Sequence, residues 1–162
     1  METVSDDVID ESTEELHNLS DEELRNMVYQ MSEEQPDLLS YLLTVGQEEL
    51  SNEEQEVLLF LGVNIWNAFK KVKELPFIAD KVINEKNSQN ETLIETLESG
   101  AQEGFTQTAT HLIEDHSQAP LLEYVIHAII EEDMEEEEPL ITEENKDLVF
   151  LTLKAYVESI CA

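Results

Sequence analysis

The sequence predicts an all-α protein, folded as a helical bundle or short helical array of about six to seven helices. The 162 residues include only 4 glycines and 4 prolines, too few for a turn-rich β protein. Alternation of apolar and polar residues with a period of two, which half-buried strands show, is nowhere sustained. Glu and Leu, which are both good helix formers, dominate the chain.

The N-terminal stretch differs from the rest of the chain. Residues 1–18 are acidic with sparse apolar positions, and we expect either disorder or a weak helix there. The first well-marked helix follows Ser20, whose hydroxyl can accept from first-turn N–H groups, and Glu23 holds the reciprocal position of a capping box. We therefore divide the chain into an acidic segment, 1–18, and a single all-α domain, 19–162.

One predicted helix stands out as central. It begins after Ser51, with Glu54 completing a second capping box, and between 57 and 69 it is apolar on most sides. A helix of this kind is buried from several directions. Its aromatic residues, Phe60 and Trp66 among them, are predicted to lie in the core rather than to line a partner groove.

Caps and helix breakers mark the other elements. Pro36 opens a short helix that Gly46 ends, and Thr142 is expected to cap the last helix. The remaining predicted helices cover 78–99, as one helix or as two broken near 87–88, then 105–116 and 120–130. An acidic linker is expected from 131.

Two stretches of the sequence resemble each other. Residues 35–43 parallel 118–126, with a one-residue shift at the proline, and an acidic connection and a capped apolar helix follow each. Repeated helical hairpins leave self-similarity of this kind. Coincidence between two hairpins rich in Leu and Glu is the alternative, so a pair of related hairpins remains one of two interpretations.

The charge of the chain restricts its partners. It has 39 acidic and 8 basic side chains, a net charge of −31. Such a surface repels phosphate backbones and anionic lipids, so we expect neither direct nucleic-acid binding nor membrane binding. A basic protein is the expected partner.

Five of the basic residues fall between 65 and 90. The acidic segments are expected to fold back on these lysines or to dimerise against them. The simpler interpretation is that the lysines stabilise the C-terminus of the central helix, where cations suit the helix dipole. The two interpretations are compatible.

The compartment is predicted from absent signals. Cys161 is the single cysteine, so no disulfide can form within the chain. The first residues lack the basic and apolar regions of a signal peptide, and no apolar run is long enough to span a membrane. We therefore expect a cytoplasmic protein.

Four residues make up the one cluster considered for metal or acid–base chemistry: His111, Asp115, His116 and His127. His111 and Asp115 are four residues apart and share a helix face. In a chain with 39 acids, however, a histidine four residues from a carboxylate is expected by chance. Surface histidines with incidental acidic neighbours are the favoured interpretation.

The acidic run over 131–138 has seven acids in eight positions. A calcium loop needs ligands at fixed offsets around a glycine, and that pattern is missing here. We interpret the run as a solvated linker.

The predicted function is that of a non-enzymatic interaction module, an adaptor or a nucleic-acid mimic, that binds a basic partner and needs no cofactor. The sequence has no Gly-x-Ser-x-Gly motif and no glycine-rich phosphate loop. A metal-binding or metal-dependent helical enzyme using the four-residue cluster is the alternative. A third hypothesis is a structural homodimer, paired through a thin apolar stripe over 78–97.

Overall fold

The computed structural model describes residues 3–93, 104–135 and 141–162, and within these ranges it has eight α-helices, one short 3-10 helix and no strand. The predicted all-α class is confirmed, and the number of helices is slightly higher than predicted. In the described ranges no helix is both long enough and apolar enough to cross a membrane. The helices are α1 (Asp6–His17), α2 (Asp21–Glu34), α3 (Pro36–Thr44), α4 (Asn52–Val72), α5 (Asp80–Glu91), α6 (Phe105–Ile113), α7 (Ala119–Glu135) and α8 (Lys146–Cys161), with the 3-10 turn at Glu143–Asn145.

The additional helix is α1, in the acidic N-terminal segment. Ser5 caps it by accepting a hydrogen bond from a first-turn N–H. Ile9 and Leu16 lie two turns apart on one face and are buried, together with Val4 just before the helix. Through this face α1 packs against α4 and α7. Of the two alternatives left open for this segment, the structure has the helix.

Both capping boxes are present as predicted. In each, a serine hydroxyl accepts from the N–H of a glutamate three residues on, and that glutamate accepts from the serine N–H. The pairs are Ser20 with Glu23 and Ser51 with Glu54. Pro36 is the first residue of α3, as predicted.

At 87–88 the structure has the unbroken helix of the two alternatives, α5, and one other boundary differs from the prediction. Helix α7 continues to Glu135, so the first five residues of the acidic run are helical rather than a linker. Glutamate is a good helix former, and the buried Ile129 holds the preceding turn in the core. The rest of the acidic run, and residues 94–103, lie outside the described residues.

Helices α4 and α8 fill the centre of the fold. Trp66 of α4, with Phe150 and Tyr156 of α8, are among the largest fully buried side chains. The Tyr156 hydroxyl donates to the carbonyl oxygen of Gly62 at 2.8 Å, which ties the two helices together. Because Gly62 has no side chain, Leu42 of α3 can pack directly against α4; a Cβ there would overlap it.

The first four helices and the second four pack in the same order. Helix α1 lies against α4 as α5 lies against α8, and α3 pairs with α4 as α7 pairs with α8. The two sets also cross over, because α1 contacts α7 and α3 contacts α5. Both hairpins singled out in the sequence are therefore packed helix pairs.

Two buried glutamines make equivalent contacts across the two sets. The side-chain oxygen of Gln35 accepts from the backbone N–H of Ile78 at 2.9 Å, and that of Gln118 accepts from the N–H of Val4 at 2.9 Å. Ile78 and Val4 each stand two residues before a helix, α5 and α1. Each glutamine therefore fixes the chain entering a helix of the other set.

A buried carboxylate joins the beginnings of the two central helices. Glu54 is 2% exposed. It accepts from the N–H of Ser51 at 2.9 Å, the N–H of Thr142 at 3.0 Å and the side-chain amide of Asn145 at 3.0 Å. Burial by itself raises the pKa of Glu54, but these hydrogen bonds outweigh it and hold the pKa below its ordinary value.

The prediction that Thr142 caps the last helix is wrong, because the N-cap of α8 is Asn145. Thr142 precedes the 3-10 turn and makes no side-chain cap. Its hydroxyl instead faces the Glu54 carboxylate at 3.4 Å. Glu54 also accepts from the backbone N–H of Thr142, so this carboxylate of α4 fixes the segment that precedes α8.

Replacing Glu54 by Gln should destabilise the fold by about 2 kcal/mol at neutral pH. The amide keeps one acceptor oxygen but turns its NH2 group toward N–H donors, which loses charge-assisted hydrogen bonds. Urea unfolding at pH 7 measures the loss, and the exposed Glu48 changed to Gln is the control, expected within about 0.5 kcal/mol of the parent. Equal stability of the two variants would contradict the role of Glu54.

Candidate functional site

A groove of about 860 Å³ lies between α1, α4 and α7. We call it the acidic groove. None of the described residues that line it is a lysine or arginine, whereas five carry carboxylates. These carboxylates belong to Asp6, Asp10, Glu53, Glu56 and Glu123.

Each wall of the acidic groove is a single face of one helix, because residues spaced by three, four or seven positions line up along a helix. The wall from α1 includes His17 and the wall from α7 includes His127, and both histidines are exposed. The lining residues, helix by helix, are Asp6, Ile9, Asp10, Thr13 and His17; Glu53, Glu56, Val57, Phe60 and Leu61; and Pro120, Glu123, Tyr124, His127 and Ala128.

The floor of the groove is apolar. Ile9 and Leu61 are buried beneath it, whereas Val57 and Phe60 of α4 are only half-buried. The ring of His17 lies against Phe60, with 5.5 Å between ring centroids. The groove therefore combines an acidic rim with apolar surface that is left partly open.

A second depression adjoins the first. It has a volume of about 670 Å³, lies between α2 and α4, and shares Glu56 and Phe60 with the acidic groove. We call it the side groove. Its apolar lining comes from Leu24 and Val28 of α2, with Leu59, Phe60 and Val63 of α4. Its charged lining has both signs, from Asp21, Arg25 and Glu56. Phe60 thus lies between the acidic groove and the side groove and lines both of them.

A buried amide holds the three walls together. Asn64 of α4 is 1% exposed. Its NH2 group donates to the Tyr124 hydroxyl at 2.8 Å and to the Thr13 hydroxyl at 2.9 Å, while its oxygen accepts from Ser12 at 2.6 Å. Burial raises the pKa of Tyr124, so its hydroxyl stays protonated at neutral pH. The walls α1 and α7 are thereby fixed to α4.

The predicted cluster of His111, Asp115, His116 and His127 is spread over separate surroundings. His111 is exposed and lies 3.5 Å from Glu114, the residue that follows its helix, and Asp115 is exposed as well. His127 lines the acidic groove. Within the described ranges, no group of three or more His, Cys, Asp or Glu side chains is arranged to hold a metal ion.

His116 belongs to a polar cluster at the other side of the core. Its Nε2 lies 3.6 Å from the carboxylate of Glu158, and its Nδ1 accepts from the N–H of Gln118 at 3.0 Å. Glu158 accepts from Lys154 at 3.0 Å and from Asn90 at 2.8 Å. The cluster ties α5, α8 and the α6–α7 connection together, which is a structural role.

The acidic N-terminal helices do fold back on the lysines at the end of α4. Lys71 lies 2.6 Å from Glu15 of α1, and Lys70 lies 3.2 Å from Glu34 of α2. Lys70 also sits over the ring of Trp66, 4.4 Å from its centroid. Both lysines occupy the last turn of α4, where cations suit the dipole, so the two interpretations of this patch hold together.

The prediction that the aromatic residues of α4 lie in the core is confirmed for Trp66 but not for Phe60. Trp66 is buried as predicted, but Phe60 is half-buried and borders both grooves. Sequence reasoning also passed over Glu53 and Glu56 as site residues. The i, i+3, i+4, i+7 spacing within each wall was visible, but nothing in it indicates which three helices meet.

Comparisons of this chain with protein-family models, curated proteins and solved structures find no match. Function is therefore inferred from the geometry and charge of the grooves.

Changing Glu158 to Gln should cost about 3 kcal/mol at neutral pH, because it leaves the ammonium of Lys154, which is 8% exposed, without its counterion. Burial raises the pKa of Glu158, but hydrogen bonds from His116, Asn90 and Lys154 lower it to about 2. The carboxylate's contribution is therefore present above its ordinary pKa of 4.5 and is lost as the pH falls toward about 2.

Urea unfolding at several pH values tests this expectation, and the gap between parent and variant should narrow over that acid range. The double variant Lys154→Met/Glu158→Met removes both charges and should recover most of the lost stability. A gap that does not change with pH would show that the carboxylate is not the counterion.

Proposed function

We propose that this chain is a non-enzymatic interaction protein that binds a basic partner protein through its acidic surface. The observation that carries the proposal is the acidic groove, which joins five carboxylates to a partly open apolar floor. Such a combination attracts cationic side chains over a distance and holds apolar ones on contact.

Several of the chain's own lysines are already neutralised by ion pairs within the fold, which supports a basic partner. Lys70, Lys71 and Lys154 make ion pairs within the fold. With a net charge of −31, the chain attracts a positively charged surface and repels a negative one.

Of the two forms of the proposal, the adaptor form is favoured over a nucleic-acid mimic. A mimic of a phosphate backbone needs carboxylates alone, whereas Val57 and Phe60 add apolar surface between them. Cytoplasmic residence is part of the proposal, and the single cysteine, Cys161, suits a reducing compartment.

A homodimer paired through the stripe over 78–97 receives less support. Ile78 is 5% exposed and Ile83 is 0% exposed, so this part of the stripe is already covered within the chain.

We also propose that the two sets of four helices are related by duplication. The crossed connections of the two hairpin tyrosines support this: Tyr41 donates to Asn87 of α5 at 2.8 Å, and Tyr124 is joined to Thr13 of α1 through the amide of Asn64. Asn87 and Thr13 are each the eighth residue of their helix.

The binding proposal predicts salt-sensitive capture of a basic protein. The immobilised full chain is incubated with lysate of its source at about 50 mM and about 500 mM NaCl, and the captured protein is then purified and titrated. We expect a basic protein whose Kd for this chain rises about tenfold or more from the lower to the higher salt concentration. An acidic or neutral partner, binding unchanged by salt, or no capture at low salt would overturn the proposal.

A further inference from the structure

We infer that the acidic groove and the adjoining side groove together receive one amphipathic basic helix of the partner, with its apolar face on Phe60 and its Lys or Arg side chains on the rim. The inference rests on the proposed function and adds to it the place and the form of the bound segment.

The charge of the rim selects a cationic segment. Carboxylates stand on all three walls: Asp6 and Asp10 on α1, Glu53 and Glu56 on α4, and Glu123 on α7. A segment lying in the groove has negative charge on each side, so Lys or Arg at its flanks meets attraction from both. A second copy of this acidic chain fits poorly for the same reason.

The apolar floor selects an amphipathic segment over a merely cationic one. Val57 and Phe60 line the acidic groove, and Leu24, Val28 and Leu59 continue the apolar surface into the side groove. Burying the exposed parts of these side chains is favourable in proportion to the apolar area removed from water, at about 25 cal/mol per Å². An oligolysine gains much less of this contribution, because only its methylene stems are apolar.

The shape of the two grooves favours a helix as the bound form. The walls are helices, and in the described ranges the fold has no sheet edge to which an extended peptide could add a strand. Apolar side chains at i, i+3, i+4 and i+7 of a bound helix lie along one stripe and face both grooves on either side of Phe60.

A designed peptide tests the inference independently of the natural partner. An 18-residue Leu/Lys peptide patterned for an amphipathic helix is titrated into the full chain, alongside a scrambled peptide of the same composition and an oligolysine of equal charge. We expect the amphipathic peptide to bind at least ten times more tightly than either control and to become helical on binding.

Charge-reversal variants locate the site. The variant Glu53→Lys/Glu123→Lys alters two walls of the groove, and Glu22→Lys/Glu85→Lys is the matched control, with one first-turn and one mid-helix exposed glutamate changed outside both grooves. We expect at least a tenfold loss of affinity in the first and less than a threefold loss in the second. Equal losses, or equal binding of the scrambled peptide, would overturn the inference.

Val57→Thr tests the apolar floor, since it keeps the side-chain shape and replaces a methyl group by a hydroxyl at a half-buried position. We expect the affinity for the amphipathic peptide to fall severalfold while that for oligolysine stays unchanged. Loss of affinity for both would mean that the groove provides charge alone, and the inference would fail.

The two proposals fail in different ways. If the natural basic partner binds in a salt-sensitive manner but has the same Kd for the variant Glu53→Lys/Glu123→Lys as for the parent, the groove is not its site and the general proposal stands. If no basic partner binds at low salt, the proposed function fails, whatever the designed peptide does.

Discussion

The fold depends on one buried carboxylate that serves the beginnings of two helices. Glu54 caps its own helix through Ser51 and also receives the backbone of Thr142, from the segment that leads into α8. A buried charge is tolerated only when its hydrogen-bonding capacity is filled, so the segments that fill it must keep their positions. The pairing of α4 with α8 is thus set at one end by Glu54 and farther along by the bond from Tyr156 to Gly62.

Helix α4 carries both the core and the groove, which couples the fold to the site. One side of it holds Trp66, which is 1% exposed, and another side presents Val57 and Phe60 to the open grooves. Asn64 links these roles, because its amide bonds side chains on α1 and α7. The groove walls are therefore held by the same interactions that stabilise the centre of the fold.

A net charge of −31 opposes compaction through self-repulsion. Part of this repulsion is offset by the positions of the acidic residues in the fold. Helices α1, α2 and α4 carry acidic residues in their first turns, where the positive end of the helix dipole favours them. Lys71 and Lys154 neutralise others through ion pairs. Among the residues that the structure describes, none of the five groove carboxylates forms an ion pair with a lysine or arginine, and in our proposal they act on the partner.

The sequence by itself determined the all-α class, the capping boxes at Ser20 and Ser51 and one of the two central helices, α4, because those signals lie within a few neighbouring residues. It left α1 undecided, since a short acidic helix with few apolar residues is stable only against the surfaces that bury Ile9 and Leu16. The groove was decided by tertiary structure alone. Its walls come from α1, α4 and α7, which are far apart in the chain, and a helix face shows which residues line up but not which helices it meets.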